Sequence, residues 1–453
     1  MAKSIKKVLQ EQLSLIKPPE EVEERIEEVA DEFCVELKEK INAKKIKADV
    51  FIGGSVAKGT IIKKHQYYPK SLSHRVQQPR HPESPPVKKR LYDVDIFVRF
   101  SPEYNDSEIS GLLGKVMSNF CKKFGAVVKV HGSRDYYQIH TEGILIEIIP
   151  VLKIKKPSDA VNVTDLSYFH VNYVLKKLRR IKRLVDDIRL AKTFVYAQGV
   201  YGAESYIHGF SGYALELLVL HFGSFEKFVR EVAKMKVVKK EKVVIDDAGF
   251  YKNRAEVLNR MNQSKIAGPF VLVDPTFKDR NTLSGLSLES FIKLQKACKK
   301  FLKNPSKKFF EVVDVDKKMR KFKNVKIVLV RTNKQAGDIA GTKSKKFFDF
   351  FVYQLRKEFE VRRAEFEYDD ESNLAKFYFV LGAKGEEIVR GPPVANANHL
   401  NGFKKAHPNA FIKKGFAYAR VLHKMSFENW FSEFLKKEKK IMKEMGIRSV
   451  EAD

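Results

Sequence analysis

Cysteine is scarce: Cys34, Cys121 and Cys298 are the only three in 453 residues, far apart and without Cys-x-x-Cys spacing. An odd number so placed excludes a disulfide framework and a zinc ribbon, and it fits a reducing compartment. Also missing is any apolar run near the roughly 18 residues that a membrane span requires. The opening stretch MAKSIKKVLQEQLSLIKPPEE has no apolar core of signal-peptide type. A soluble, cytoplasmic chain with no membrane partner is therefore expected. Acid is in deficit, with 56 Asp and Glu against 86 Lys and Arg and a formal net charge of +30. Such an excess points to a polyanionic partner, most simply nucleic acid, through phosphate neutralisation and counterion release. A lysine-rich proteome gives the same excess without one. No internal repeat organises the chain.

Apolar content is ample: 43% of residues are hydrophobic and 34 are phenylalanine. A chain this long and this apolar is expected to form two to four cored domains. Helical periodicity marks two helices over 3–43, broken at Pro18-Pro19, with Val22, Ile26, Val29, Phe33, Leu37 and Ile41 on one face. A strand over 48–53 follows. Residues 61–92 hold five prolines, three histidines and many basic groups, and read as a long loop, either a tolerated insertion or a basic arm that helps hold RNA. Asn105 or Asp106 caps a helix expected to reach Phe124. Strands are expected near 126–131, 136–141 and 144–152, in an antiparallel or mixed sheet. From Pro157 the pattern turns helical, apart from a proline-closed strand in GPFVLVDPTFKDRN (Gly268 to Asn281). Further on, 324–331, 343–358, 361–368 and 374–381 read strand, helix, strand, strand. The stretch Gly391 to Leu422 is basic and aromatic, and a last helix runs from Ser426 to about Met445.

Three pieces carry chemistry: FIGGSVAKGT (Phe51 to Thr60), LYDVDIFVRF (Leu91 to Phe100) and ILIEIIPV (Ile144 to Val151). In the first, a strand ends in Gly53-Gly54-Ser55, where backbone N–H groups and a hydroxyl can approach a phosphate. In the second, period-two alternation projects Asp93 and Asp95 from one face of an apolar strand. In the third, Glu147 interrupts a run that would otherwise be pure core. Three carboxylates on neighbouring strands beside a phosphate-cradling turn form a hard-oxygen site suited to Mg²⁺ and to two-metal phosphoryl transfer. Singly each motif is weak; in this order they are specific. An edge-strand carboxylate in solvent is the plain alternative for Glu147.

The combination resembles the nucleotidyltransferase superfamily that includes polymerase beta, poly(A) polymerases and CCA-adding enzymes. VYGAESYIHGFSGYALELLVLHFGSF, followed by VLVDPTFKDRN, sharpens the resemblance to the archaeal, class I CCA-adding enzymes, over roughly residues 20 to 435. It implies an α+β multidomain fold: a polymerase-beta-like catalytic head over 1–155, a mostly helical nucleotide-binding domain over 156–305, a ferredoxin- or RRM-like body over 306–390, and a basic helical tail over 391–453. It implies template-independent CCA addition to the tRNA acceptor end from CTP and ATP, with Mg²⁺ as cofactor. Asp93, Asp95 and Glu147 would be catalytic and metal-holding, with Glu147 standing where related enzymes carry aspartate. Gly54, Ser55, Lys58, Ser167, His170, Lys192 and Tyr201 would line the triphosphate pocket, Lys58 replacing a family arginine. Arg280 would help read the incoming base. On the residues alone, Lys192 reads as a solvated helix charge, Tyr201 as a core aromatic, His170 as a satisfied, partly buried histidine and Arg280 as a surface arginine. A poly(A) polymerase or oligoadenylate synthetase relative, and an inactive RNA-binding relative, share much of this pattern. Both a monomer and a homodimer are compatible with it.

Overall fold

The computed structural model describes residues 4–63, 92–118, 120, 122–236, 241–333, 337–369 and 372–453. The basic insertion, apart from its two ends, lies outside the described residues, as does Cys121. Two compact units divide the chain, Met1–Val313 and Asp314–Asp453. No helix of the described residues is long and apolar enough to cross a membrane.

The first unit opens with α1 (Ile5–Ile16) and α2 (Glu20–Ala43), separated at the expected prolines. Glutamates fill the first turn of α2 and Lys40 its last, which complements the helix dipole. Ile26, Val29, Phe33, Leu37 and Ile41 recur every three or four residues and are all buried. They pack on one face of a five-stranded sheet. Its strands are β1 (Ala48–Ile52), β2 (Tyr92–Phe100), β3 (Val127–Val130), β4 (Tyr136–Thr141) and β5 (Ile144–Leu152), in the order β1-β2-β5-β4-β3. The sheet is mixed: β2 and β5 run parallel and the other neighbours antiparallel. A four-residue helix, α3 (Gly54–Ala57), follows β1 directly. The helix α4 (Asp106–Met117) starts on a capping box of Asn105 and Glu108. It stops seven residues short of the expected Phe124. There the chain turns so that Phe120 and Phe124 both meet Phe33, with ring centroids 4.7 and 5.0 Å away.

The rest of this unit has its own core. α5 (Ser167–Arg180), α6 (Leu184–Ala197), α7 (Gly212–Phe222), α8 (Phe225–Lys234) and α9 (Arg254–Arg260) lead on through the chain. Then α10 (Leu288–Lys303) closes over a cluster that includes Phe194, Phe225, Phe291 and Phe301. The proline-closed strand proves to be a hairpin. β7 (Phe270–Asp274) turns at Pro275 into β8 (Phe277–Asn281), and β6 (Val243–Ile245) pairs parallel with β7.

In the second unit, β9 (Val325–Thr332), α11 (Gly337–Glu358), β10 (Phe359–Asp369) and β11 (Leu374–Ala383) match the expected strand, helix, strand, strand. A separate three-stranded sheet is built from β12 (Gly385–Pro393), β13 (Phe411–Lys413) and β14 (Phe416–His423). α12 (Phe427–Lys437) then packs Trp430 and Phe434 against Phe351, and β15 (Ile447–Ala452) returns to pair with β9. The sheet order is β10-β11-β9-β15. The segment expected to form a tail from 391 thus supplies a helix to the core and an edge strand to the sheet of the body.

Within the first unit, one buried ion pair ties the sheet to the helices. Arg134, in the β3–β4 loop, contacts Asp165 through both terminal nitrogens, and its Nε donates to Asp106 at 2.7 Å. Asp165 also accepts from the backbone of Leu152 at 2.8 Å and Asn162 at 2.9 Å. Burial works to raise the Asp165 carboxyl, but Arg134 and the two backbone donors outweigh it and hold it below the ordinary aspartate range. A folded-state pKa below the unfolded one adds stability above the ordinary range, and that stability is lost as pH falls. Replacing Arg134 by Met leaves a buried carboxylate uncompensated, so Arg134→Met should cost about 3 kcal/mol in urea unfolding at neutral pH. The gap from the parent should narrow toward acid; a gap that widens there would contradict the assignment.

Candidate active site

In β2, Tyr92, Val94, Ile96, Val98 and Phe100 are buried against α2 and α4. Alternation therefore sends Asp93, Asp95, Phe97 and Arg99 to the other face. The parallel register sets Asp95 directly beside Glu147 and Asp93 beside Leu145. All three carboxylates share a face and are half-buried among buried neighbours. Glu147 is on an inner strand, between β2 and β4, and so is not an edge-strand carboxylate.

The glycine turn lies against this trio. The Gly53 N–H donates to the Asp95 carbonyl at 2.8 Å. Gly54 has φ +59°, and a Cβ on it would stand 1.7 Å from Asp95 Oδ2, so no larger residue fits without moving that carboxylate. Ser55 follows as the second residue of α3. The donor set, all carboxylate oxygen beside a glycine cradle, fits a hard divalent cation. Among the described residues no three His, Cys, Asp or Glu side chains converge as a ready-made metal group. Glu147 leans toward β4, where Oε1 accepts from Gln138 Nε2 at 2.7 Å. The fit therefore stands on register and donor chemistry, not on converged side chains.

Beside the turn sits a buried charge cluster. Lys192 on α6 is 5% exposed, which rules out a solvated helix charge. Its ammonium donates to Thr60 Oγ1 at 2.9 Å and to Glu216 Oε1 at 2.8 Å. Lys58 donates to the other oxygen of Glu216 at 2.7 Å. Glu216 on α7 is itself 1% exposed. Burial lowers the Lys192 pKa and Lys58 adds to that, while Glu216 and Asp95 support its charge. Tyr201 is half-buried against the helical core, and its hydroxyl would meet a Cβ added at Gly212 at 2.8 Å. Burial, then Glu216 and Asp93, push its phenol up, which keeps it a neutral donor.

A second cluster gathers on Asp274, which is wholly buried at the end of β7. One oxygen, Oδ2, faces His170 Nε2 at 2.9 Å and Arg280 Nη1 at 2.7 Å. The other accepts from the Tyr213 hydroxyl at 3.1 Å and from Thr276 N and Oγ1 at 2.9 and 2.7 Å. The His170 ring stacks on Tyr213 with centroids 4.0 Å apart, and the Arg280 guanidinium lies 5.8 Å from the centre of the same ring. Burial favours a raised Asp274 pKa, but His170 and Arg280 hold it well below the ordinary range. Burial lowers the pKa of His170 despite Asp274, and the charges of Arg280 and Lys58 lower it further. Ser167 opens α5 one turn ahead of His170.

The family model for the second domain of tRNA nucleotidyltransferases matches residues 186–311, the stretch that holds Lys192, Tyr201, Glu216, Asp274 and Arg280. A CCA-adding enzyme of Nanoarchaeum equitans is 37% identical over 54% of this chain and 52% of its own length. A CCA-adding enzyme of Methanocaldococcus jannaschii is 26% identical over 92% of this chain and 87% of its own. The chain is thus similar in sequence to archaeal CCA-adding enzymes. The chain spans little more than half the length of most of the curated relatives it matches. Among solved structures, the Cid1 poly(U) polymerase aligns with a TM-score of 0.47 at 13% identity, covering 69% of this chain and 99% of that one.

Glu216, Asp274, Tyr213 and Thr60 were not singled out by sequence reasoning. The signal for the first two was present: each is a lone acid in an apolar run, ALELLVL and FVLVDP. Because Gly54 borders Asp95 so closely, Gly54→Ala should displace that carboxylate and lower any activity that depends on its position at least about a hundredfold. It should cost only about 1 kcal/mol of stability through its strained φ. A folded variant with parental turnover would show that the position of Asp95 is not critical.

Proposed function

We propose that this chain adds or repairs the 3′-terminal CCA of tRNA, without a nucleic-acid template, using CTP and ATP. The observation that carries the reading is the parallel register of β2 and β5, which lines Asp95 up with Glu147 beside the Gly54 turn. The match to the second domain of tRNA nucleotidyltransferases supports the choice of substrate.

In the proposed reaction the tRNA 3′-hydroxyl attacks the α-phosphate of the nucleotide and pyrophosphate leaves. Asp93, Asp95 and Glu147 would hold Mg²⁺. When bound, the metal acidifies the attacking hydroxyl and neutralises charge on the triphosphate. Gly54 and Ser55 offer backbone and hydroxyl donors to the phosphates. Lys58 and Lys192 bring positive charge to the same side, anchored by Glu216. His170, Ser167 and Tyr201 complete that pocket. Arg280 reads the base, since a held guanidinium offers donors to both cytosine and adenine edges.

The sheet β10-β11-β9-β15, taken with α11 and α12, follows the chain as strand, helix, strand, strand, helix, strand once the separate three-stranded sheet between β11 and α12 is set aside, which supports a ferredoxin-type body. We assign this unit, with its basic segment over 391–422, to the grip on the tRNA acceptor arm. The reaction takes place in the cytoplasm on this reading.

Incubation with a tRNA ending at its discriminator base, with Mg²⁺, CTP and ATP, should yield three additions, two of C and then one of A. A long or ATP-only tail would favour a poly(A)-polymerase-like activity instead. Asp95→Asn should abolish incorporation and leave tRNA affinity close to parental. Incorporation that survives the substitution removes the acidic trio from the mechanism.

A further inference from the structure

The hydrogen bonds around Asp274 go beyond lining a pocket. His170, on the phosphate side of the proposed site, and Arg280, on its base side, both address the same oxygen, Oδ2, at 2.9 and 2.7 Å. Arg280 Nη1 also lies 3.4 Å from His170 Nε2. The other oxygen is fixed by Tyr213 and Thr276. The carboxylate therefore cannot turn to serve His170 and Arg280 separately. Asp274 is wholly buried, whereas the Arg280 side chain is 23% exposed. The guanidinium thus reaches from a fixed interior anchor to the open pocket, its flank covered by Tyr213.

We propose that Asp274 is a positioning residue for nucleotide selection: it sets the Arg280 guanidinium at one angle and couples that angle to the state of His170. The inference rests on the reading of this pocket as the nucleotide site. Only one oxygen is shared, so a change in the His170–Asp274 bond alters the hold on Arg280. When a triphosphate draws His170 toward its own oxygens, Oδ2 is left more fully to Arg280. The base reader is then held most firmly when a complete nucleotide is in place. Arginine suits this task because one nitrogen can be anchored while the planar fork keeps further donors at a set angle. Lysine at 280 would swivel about a single charge.

The test is a selectivity measurement on the full chain. With a tRNA ending in CC, incorporation of ATP is compared with that of UTP and GTP as ratios of kcat/KM. Asp274→Asn keeps size and loses charge, so it should erode discrimination by about tenfold, the effect of weakening one charge-assisted hydrogen bond. Joined to Arg280→Lys, it should cost no more selectivity than the more damaging of the two alone. Tyr213→Phe keeps the ring and removes one donor to Oδ1, and should give the same change in smaller measure; it remains informative if Asp274→Asn fails to fold. A merely structural Asp274 would depress all three nucleotides by one factor. That result, additive double-variant effects, or unaltered selectivity in Tyr213→Phe overturns the inference. Failure of the parent chain to add A to this tRNA would instead overturn the CCA reading.

Discussion

A charge taken out of water has to be met by another, and the first unit is assembled around three cases of that rule. Asp165, Glu216 and Asp274 are each nearly or wholly inaccessible. Each binds cationic or hydrogen-bond-donating side chains from distant parts of the sequence. Asp165 joins the loop before β4 to the segment that opens α5. Glu216 joins the turn after β1 to α6 and α7. Asp274 joins α5 to the β7–β8 hairpin. The helices are thereby registered against the sheet by pairs that tolerate little displacement, because a gap of an ångström would leave an ion unpaired. Apolar packing sets the two cores; these pairs set how α5, α6 and α7 meet the glycine turn, the sheet and the β7–β8 hairpin.

Much of this was legible in the chain. Period-two alternation placed Asp93 and Asp95 on one face, and an acid amid isoleucines drew attention to Glu147. The register that brings Glu147 level with Asp95 was not readable, since parallel pairing depends on a crossover whose length says nothing about alignment. The helix α4 ends at Met117 although Phe120 and Phe124 continue its apolar spacing of three and four residues. Both rings pack on Phe33. The return of the C-terminus to the body sheet was equally hidden: Ile447–Ala452 is short and follows a helix, and only its pairing with β9 defines it as a strand. Lys192 and Glu216 show the other kind of limit. Lys192 alone looks like an ordinary helix charge; Glu216 stands out as an acid in an apolar run, but only the structure shows that the two are partners.

The resemblance implies arginine and aspartate where this chain has Lys58 and Glu147, and the surroundings of both side chains suit the residues present. Glu216 has two oxygens and two ammonium partners, one apiece. An arginine at 58 would favour both oxygens with its fork and compete with Lys192 for one of them. Lysine asks for a single oxygen, so a pair of cations can be kept in a buried pocket by one carboxylate. Glu147 is a methylene longer than aspartate, and that length lets it reach Gln138 on the neighbouring strand while its backbone stays level with Asp95. The extra reach gives the carboxylate a resting partner away from two like charges.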